Sequence, residues 1–491
     1  MTVQSIFSAT RFGWPDVVTL NAKALLSTLI ALIVVLTLFA SQASAAPSRS
    51  PPVSSTTFSS QQSPVFFVAS SPSGSGHSGG SCSSPGYDSV QSAVSATPAR
   101  SVIFVCPGTY REQVTISKSL TLIGSGPSRT TILAPSTLTA DSFGLQNILE
   151  ITGPATHVTL SGFTISGPGP AGVVCSIVFG IFVSDGATAN IVANSIAHVE
   201  DDPISNCNSV GFGDAGIGVG WINPSTGASL TSGHATIALN ALYDDQGNGI
   251  NILGAGSTAS IVGNTLVGIG SAALSYQNGM EVDTFSPYAA DPAVATVSWN
   301  TVTGYECPLG TNVGGGVLCG GDLETAEQDL GIIVFGPSTG TVVSHNDVYG
   351  NDAGIGGSAA GEALASGITY SQNYVRDNLY SAFLFYGATD DEISQNVVYV
   401  TAPTASGVPC QAGDTCYPFD YTLGIDLLGG SANNLLSQNM VKVTADSYAI
   451  LLDSLSTGNV VTHNILSANQ GAVTGNAAVL DLGTDTVTHN H

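Results

Sequence analysis

One short pattern, apolar-x-x-Asn-x-apolar, recurs along most of the chain and constrains its fold more than any other feature. One copy runs from Ile393 to Val398, with Asn396 as its asparagine. Successive copies are separated by 23 to 46 residues, a spacing typical of stacked repeat architectures. Their asparagines are Asn194, Asn240, Asn264, Asn300, Asn346, Asn373, Asn396, Asn439, Asn464 and Asn490.

A second pattern, small-apolar-x-apolar, precedes most of these asparagines by 13 or 14 residues, as in Gly180 to Val183 and Gly424 to Leu427. Short runs of period two predict strands rather than helices. Each repeat therefore predicts three short strands, and stacked repeats predict parallel sheets around one core. At a spacing of about 4.8 Å, the asparagine amides are predicted to hydrogen-bond along the stack as a ladder.

On these repeats the chain resembles the right-handed parallel β-helix proteins of the pectin-lyase-like superfamily, with repeats of the NosD type, over roughly residues 87–491. The resemblance implies an all-β solenoid with three short strands per coil and about a dozen coils. It does not imply one reaction, because lyases, hydrolases, esterases, epimerases and non-enzymes share this fold.

The entry to the repeats predicts an N-terminal cap. Residues 87–97 predict a short helix with Val90, Ala93 and Val94 on one face. The stretch Gly108 to Glu112 that follows matches the G-x-Y-x-E motif of pectinesterases, and the whole entry resembles their N-terminal cap. The resemblance implies that the helix covers the open end of the solenoid. The motif is predicted to be structural, with a packed tyrosine and an Arg111–Glu112 pair, because the later esterase motifs that carry catalysis are missing.

The charge balance excludes some partners. Lys and Arg total 9 against 34 Asp and Glu, which gives a net charge of −25. Nucleic acid and anionic membranes are therefore not expected as partners. Two interpretations of the acidity stay open, cation binding and adaptation to an acidic medium.

The N-terminal region predicts export. Residues 1–45 are typical of a signal peptide, with an apolar run followed by an Ala43-Ser44-Ala45 cleavage site. An uncleaved membrane anchor, with the β-helix outside, is the alternative. Residues 46–81 are rich in Ser, Pro and Gly and predict a linker, and residues 82–491 predict the β-helix domain.

Eight cysteines in an exported chain favour disulfides. Their connectivity is open, since eight cysteines allow 105 pairings. Nearest-neighbour pairing gives Cys82–Cys106, Cys175–Cys207, Cys307–Cys319 and Cys410–Cys416.

Carboxylates are the candidate catalytic groups. The resemblance implies that ligands lie along the first sheet, which we assign to the strands that follow the glycines. Neighbouring coils are expected to place Asp244, Asp245, Glu281 and Asp283 within about 10 Å of each other. Three interpretations stay open: a Ca²⁺ site, an acid–base pair for glycoside hydrolysis, and solvated surface side chains. The candidate residues are Asp202, Asp244, Asp245, Glu281 and Asp283.

Four residues are candidates for sugar binding. Trp221 follows a Gly-rich strand and either stacks on sugar rings or packs in the core. Tyr386 is predicted to face outward as a second stacking residue. Asn251 and Asp426 are predicted to face outward from strands of the first sheet.

Other chemistries find less support in the sequence. The motifs of polygalacturonases are absent, and a lyase base would have to be Arg376 or Lys442, the two basic residues of the repeats. His463 and His489 are 26 residues apart and could stack, but glutamines at equivalent positions favour an exposed polar site over a metal pair.

The sequence thus predicts a secreted β-helix that binds extracellular polysaccharide along its first sheet, and it leaves open whether the candidate carboxylates hydrolyse that polysaccharide. The alternative is a non-catalytic cell-surface or structural rod. Convergence of the five candidate carboxylates in one groove would favour the enzyme. The last repeat reaches Asn490 with no capping helix, which predicts an exposed edge open to self-association.

Overall fold

The computed structural model describes most of the repeat region. The described residues are 63–70, 80–173, 179–203, 215–223, 226–270, 277–284, 292–306, 312–313, 317–318, 329–358, 365–378, 381–401, 423–443, 448–468 and 478–491. All of them lie in one compact unit, Ser63–His491. Within these ranges, no helix has the length and apolar character needed to cross a membrane. The predicted signal peptide, residues 1–45, lies outside the described residues.

Each coil contributes one strand to each of three long parallel sheets of 12, 14 and 12 strands. Neighbouring coils pair in register, so that Val375 lies beside Val398 and Ile425 beside Ile450. The chain passes from sheet 1 to sheet 2, then to sheet 3, and then to the next coil. The protein is therefore a right-handed parallel β-helix, and the predicted fold is confirmed.

The strands, numbered in chain order, have the following bounds. Sheet 1 holds β4 Val114–Ile116, β7 Asn147–Thr152, β10 Phe179–Ser184, β13 Ala215–Val219, β18 Ile250–Leu253, β21 Met280–Asp283, β26 Leu330–Phe335, β29 Ala353–Ser358, β32 Ser381–Tyr386, β35 Leu423–Leu428, β38 Ile450–Leu452 and β41 Val479–Asp481. Sheet 2 holds β1 Val65–Val68, β2 Val102–Val105, β5 Leu120–Gly124, β8 His157–Ser161, β11 Thr188–Val192, β16 His234–Ala238, β19 Thr258–Val262, β22 Val294–Ser298, β27 Val342–Ser344, β30 Thr369–Ser371, β33 Glu392–Ser394, β36 Leu435–Ser437, β39 Thr457–Thr462 and β42 Thr484–Thr488. Sheet 3 holds β3 Gly108–Arg111, β6 Thr130–Leu133, β9 Thr164–Ser166, β12 Ser195–Ala197, β17 Ala241–Tyr243, β20 Thr265–Val267, β23 Thr301–Thr303, β28 Asp347–Tyr349, β31 Tyr374–Arg376, β34 Val397–Val400, β37 Met440–Val443 and β40 Ile465–Ser467. Two short antiparallel pairs are β14 Trp221–Ile222 with β15 Ser229–Thr231, and β24 Asn312–Val313 with β25 Val317–Leu318.

One apolar core fills the solenoid. Alternate strand residues point inward, and the apolar residue two places after each ladder asparagine from Asn194 to Asn464 is among them: Ile196, Val302 and Val398 are fully buried. On sheet 1, Ile250 and Ile252 face the same core, as the alternation predicts.

The corner between sheets 2 and 3 is a tight bend built from two residues. The residue before the ladder asparagine has a left-handed backbone, with φ of 57° at Gln395 and 60° at Trp299. This bend takes the backbone polar groups of the corner out of the regular sheet pairing, so they need other partners.

The asparagine ladder supplies those partners. Asn396 Oδ1 accepts the backbone N–H of Asn373 at 2.9 Å and its side-chain amide at 3.0 Å. Asn396 Nδ2 donates to the Tyr370 carbonyl at 2.9 Å and to Asn439 Oδ1 at 3.0 Å. The same amide-to-amide bond joins all ten predicted asparagines from Asn194 to Asn490, which confirms the ladder.

The other two corners carry shorter ladders that the repeat pattern did not reveal. Between sheets 1 and 2, backbone N–H groups are accepted in turn by Asp391, Asn434, Asn459 and Asp485. Between sheets 3 and 1, Asn351 accepts the N–H of Tyr305 at 3.1 Å, and Asn378 accepts that of Asn351 at 3.1 Å.

A short helix, α1 (Val90–Ala96), covers the first coil. Its buried residues Val90, Ala93 and Val94 join the solenoid core, as predicted. Ser89 caps the helix by accepting the N–H of Ser92.

The pectinesterase-like motif has a structural role here, but the predicted Arg111–Glu112 pair is wrong. Both oxygens of Glu112 accept N–H groups from the first turn of α1, at Val90 and Gln91, each at 2.8 Å. A carboxylate at a helix N-terminus is favourable because it meets unpaired N–H groups. Arg111 instead donates to the carbonyl of Ala134.

Two more features tie down the N-terminal end. Strand β1 pairs with β2 although it falls inside the segment 46–81 predicted to be a linker, so that prediction is wrong for residues 65–68. The four apolar residues of β1 form too short a run to stand out from their Ser- and Pro-rich surroundings.

The Cys82–Cys106 disulfide is confirmed. Cys175, Cys207, Cys307, Cys319, Cys410 and Cys416 lie outside the described residues.

The ladder predicts a position-dependent loss of stability. Asn396→Ala should lower the free energy of unfolding by about 3 kcal/mol, because buried amide groups on both neighbouring coils lose their partners. Asn490→Ala, at the half-buried end of the ladder, should cost clearly less. Urea unfolding followed by circular dichroism measures both variants. Equal losses would contradict a ladder that acts through its buried interior.

Candidate functional site

The outer face of sheet 1 carries a row of side chains opposite the core. Asn251 lies beside Glu281 in register, and Asp283 follows two residues later on the same strand. These side chains point away from the core, as alternation along a strand predicts, but the interpretation of the carboxylates as solvated surface side chains is wrong for Glu281 and Asp283. Asn251, Glu281 and Asp283 are 0%, 2% and 1% exposed, so this polar face is closed off.

A network of amides surrounds the carboxylates. Asn248 Nδ2 donates to Asn251 Oδ1 at 2.9 Å and to Glu281 Oε2 at 2.7 Å. Asn278 Nδ2 donates to the same Glu281 oxygen at 3.3 Å. We call these five residues, Asn248, Asn251, Asn278, Glu281 and Asp283, the sheet 1 polar cluster.

Several buried atoms of the cluster have no hydrogen-bond partner among the described residues. They are Asn251 Nδ2, Glu281 Oε1 and Asp283 Oδ1. An unpaired buried donor or acceptor costs about 1–3 kcal/mol. A concentration of three such atoms is therefore a place where water or a ligand with hydroxyl groups gains hydrogen bonds.

The pKa values of the two carboxyls of the cluster are raised, which favours their protonated forms. Burial raises the pKa of Glu281 to about 7, against the lowering effect of the Asn248 and Asn278 hydrogen bonds. Burial, and then the charge of Glu281, raise the pKa of Asp283 well above its usual range. Two interacting carboxyls of this kind release their protons one after the other, so one can stay protonated while the other is ionised.

The contacts of the described residues divide the candidate carboxylates into two groups, and their expected placement within about 10 Å of each other stays a prediction. Asp202 and Asp244 belong to a second group at the corner that leads into sheet 1, where their charges act on Glu200. His198 Nδ1 lies 3.9 Å from Glu200 and 3.8 Å from Asp244. Asp202 is exposed and Asp244 is nearly half exposed. Of the described charged groups, Glu281 raises the pKa of Asp283.

Asp245 occupies a structural position. It follows the end of its sheet 3 strand by two residues, as Asn351 and Asn378 do, and its Oδ1 accepts the N–H of Val199 at 3.2 Å. Asp245 thus holds the position in its coil that Asn351 and Asn378 hold in theirs, at the corner between sheets 3 and 1. Its Oδ2 has no partner among the described residues, and burial raises its pKa well above the usual range.

The predicted sugar-stacking role of Trp221 conflicts with its burial. Trp221 is 3% exposed, and its ring meets the ring of Phe179 edge-on at 5.6 Å. It belongs to an apolar cluster of Leu145, Phe179, Phe182, Ala215, Trp221, Ile222 and Leu253 that is separate from the solenoid core. The aromatic face is therefore used in packing, the alternative that the sequence left open.

Tyr386 and Asp426 lie farther along the same face. Tyr386 points outward as predicted but is half-buried, and its ring lies over Gly429. Asp426 is fully buried between Leu384 and Leu451, and neither carboxylate oxygen has a partner among the described residues. Burial, and then the charge of Asp453, raise its pKa well above the usual range.

Sequence reasoning missed a half-exposed carboxyl, Glu150, on strand β7. Burial, and then the charges of Asp141 and Asp185, raise its pKa to about 7, although Ser184 donates to it at 3.2 Å. Asp141 is fixed by Asn147, whose Nδ2 donates to it at 3.0 Å. Glu150 precedes the first ladder asparagine by more than one coil, so the repeat pattern gave no signal for it.

The described residues contain no group of three or more His, Cys, Asp or Glu side chains placed to hold a metal ion. The Ca²⁺ interpretation therefore stays a prediction without an assigned site. His463 and His489 do stack, with ring centroids 5.2 Å apart. They extend an outer row of the ladder corner in which Gln372 donates to Gln395, and Gln395 to Gln438.

Buried carboxyls predict that acid stabilises the fold. Burial is the largest cause that raises the pKa of Glu281 and Asp329 to about 7 and that of Asp391 to about 8. Since these values exceed those of the unfolded chain, the folded state binds more protons between about pH 4 and 8. The stabilisation is complete below the unfolded pKa and is lost as the pH rises through the folded pKa.

We expect the free energy of unfolding to be at least about 2 kcal/mol higher at pH 5 than at pH 8. Urea unfolding at a series of pH values measures this slope. Asp391→Asn is the matched variant, because it keeps the ladder acceptor for Ile368 and removes one titrating group, so it should flatten the slope. A fold that is more stable at pH 8 would contradict the burial of these carboxyls.

The structural role of Asp245 gives a separate prediction. Asp245→Asn should raise the free energy of unfolding at pH 7 by about 1–3 kcal/mol, because an amide replaces an acceptor that has no partner. Asn351 shows the expected geometry, since its Nδ2 donates to the Tyr349 carbonyl at 3.2 Å. Thermal unfolding of the variant measures the effect, and a loss of stability would contradict the corner assignment.

Comparisons with known proteins find similarity only at the level of solved structures. No family model matches the chain, and no curated protein matches it. The Agl-KA catalytic domain is 14% identical with a TM-score of 0.47, covering 81% of this chain and 64% of that one. The chain therefore spans less than two thirds of that domain.

Two further structures are similar in the same way. The alginate lyase from Paenibacillus sp. str. FPU-7 is 15% identical with a TM-score of 0.40, covering 63% of this chain and 94% of that one. The A-module of the Azotobacter vinelandii mannuronan C-5 epimerase AlgE6 is 13% identical with a TM-score of 0.40, covering 81% and 94%. Similarities at this level support no conclusion about activity.

Proposed function

We propose that this chain is a secreted β-helix that binds extracellular polysaccharide along the outer face of sheet 1 and hydrolyses it with Glu281 and Asp283. The observation that carries the proposal is the sheet 1 polar cluster, which holds two interacting carboxyls and three buried polar atoms without partners among the described residues. Sugar hydroxyl groups donate and accept hydrogen bonds, so they can satisfy atoms of both kinds.

The proposed reaction uses both carboxyls of the pair. The protonated member gives its proton to the glycosidic oxygen as the bond from that oxygen to the anomeric carbon breaks. The ionised member takes a proton from the water that attacks the anomeric carbon. The Glu281 pKa of about 7 supports a protonated acid in neutral and acidic media.

Export has its own support. The Cys82–Cys106 disulfide is expected in an oxidising compartment, in agreement with the signal peptide predicted for residues 1–45. The acidic composition and the buried carboxyls further favour a protein that works in an acidic medium.

A non-catalytic rod is the second candidate, and the burial of the site favours it. Glu281 and Asp283 are 2% and 1% exposed, so a polysaccharide reaches them only if this face rearranges. In a rod the same carboxyls would remain protonated and serve packing alone.

The isosteric variants Glu281→Gln and Asp283→Asn separate the two candidates. Each should lower kcat by about 100-fold or more, because each removes one half of the acid–base pair. Reducing ends released from a panel of acidic and neutral polysaccharides are the measurement. Activity of the unchanged protein should fall above about pH 7, where Glu281 loses its proton.

Asp245→Asn is the matched control, because it also removes a buried carboxyl of raised pKa but lies in the corner ladder. It should leave kcat unchanged. Full activity in Glu281→Gln would overturn the assignment, and a large loss in Glu150→Gln instead would move the chemistry to Glu150. No cleavage by the unchanged, folded protein would favour the rod.

A further inference from the structure

The two basic residues of the repeats, Arg376 and Lys442, lie together on the outer face of sheet 3. The register places Tyr349 beside Arg376, Arg376 beside Tyr399, and Tyr399 beside Lys442. Four successive coils therefore present tyrosine, cation, tyrosine and cation in one straight row. We call this row the tyrosine–cation ladder.

Cation–π contacts hold the two basic side chains of the tyrosine–cation ladder in place. The guanidinium carbon of Arg376 lies 3.8 Å from the ring centroid of Tyr349 and 5.4 Å from that of Tyr374. The Lys442 ammonium lies 5.8 Å from the ring centroid of Tyr399. Such cation–π contacts are worth about 0.5–1 kcal/mol at exposed sites, so they order long side chains that solvent would otherwise leave free.

The two cations differ in how their charge is balanced. Arg376 Nε lies 3.3 Å from Asp347 Oδ1, so its charge is largely compensated. Lys442 is exposed and forms no ion pair within the described ranges. In a chain with a net charge of −25, an exposed ammonium without an ion pair among the described residues is a distinct local feature.

A parallel row of mostly apolar side chains lies beside the tyrosine–cation ladder. Its members Tyr374, Val397, Met440 and Ile465 are neighbours in register on the same outer face. Tyr374, Met440 and Ile465 are 41%, 40% and 56% exposed. The face thus combines a strip of apolar surface with cations two coils apart, about 10 Å at the usual coil spacing.

We propose that this face binds an anionic polysaccharide, a linear chain of uronic acid residues, independently of the sheet 1 polar cluster. Carboxylates along such a chain pair with Lys442 and Arg376, and the apolar faces of its sugar rings pack on Tyr399 and Tyr374. A linear polymer matches the straight row that the coils impose.

Polygalacturonate and its fully methyl-esterified form are the matched probes, since the ester keeps the sugar chain and removes the charge. Calorimetry should show binding of polygalacturonate that weakens as salt rises, and much weaker binding of the ester. Lys442→Gln should weaken polygalacturonate binding roughly fivefold, and Tyr399→Leu by a similar factor. Lys442→Arg should restore most of it.

Lys118→Gln is the charge-matched control, because Lys118 lies in the N-terminal coils, where it donates to carbonyls next to α1. It should leave binding unchanged, and thermal unfolding verifies that each variant is folded. Equal binding of the two probes, or full binding by Lys442→Gln, would overturn the proposal. Self-association in sedimentation that Lys442→Gln abolishes would also overturn it in favour of a second copy. Binding is measured without cleavage, so failure of the proposed hydrolysis leaves this test unaffected.

Discussion

The hydrogen bond between stacked asparagine amides is the interaction on which the rest of the structure depends. Each coil must turn sharply between sheets 2 and 3, and the left-handed residue before each asparagine, such as Gln395, makes that turn. The bend leaves backbone polar groups inside the molecule without partners in the sheets. The side-chain amide of the asparagine that follows forms hydrogen bonds with both neighbouring coils. Since the bond repeats at every coil from Asn194 to Asn490, it fixes the register of all three sheets.

A fixed register has consequences for function. Side chains at equivalent positions of successive coils form straight rows, so the same geometry produces the core, the sheet 1 polar cluster and the tyrosine–cation ladder. The rows differ in environment. Glu281 and Asp283 are buried and their pKa values are raised by burial, whereas Lys442 is exposed. A solenoid can therefore offer separate faces for chemistry and for binding.

The sequence predicted the fold because period two and the recurring Asn396-type pattern are local signals that repeat from coil to coil, the asparagine from Asn194 onward. It also predicted which residues of β18 and β21 face away from the core. It could not predict their burial. Alternation indicates on which side of the strand a side chain lies, but not whether other residues cover that side. The corner role of Asp245, which accepts the N–H of Val199, could not be predicted, because a corner acceptor and a catalytic carboxylate look alike in sequence. Glu150 gave no signal, because its raised pKa depends first on burial and then on the charges of Asp141 and Asp185, which the repeat pattern does not show.

Product analysis of the unchanged protein tests the central claim most directly. The form beginning at Ala46 would be incubated with acidic and neutral polysaccharides at acidic and neutral pH, with reducing ends, unsaturated ends and methanol measured together. Our account predicts new reducing ends without unsaturated ends or methanol, and a fall in product above about pH 7, where Glu281 loses its proton. Unsaturated ends would contradict the acid–base pair, and a folded protein that releases nothing from any polysaccharide would contradict hydrolysis altogether.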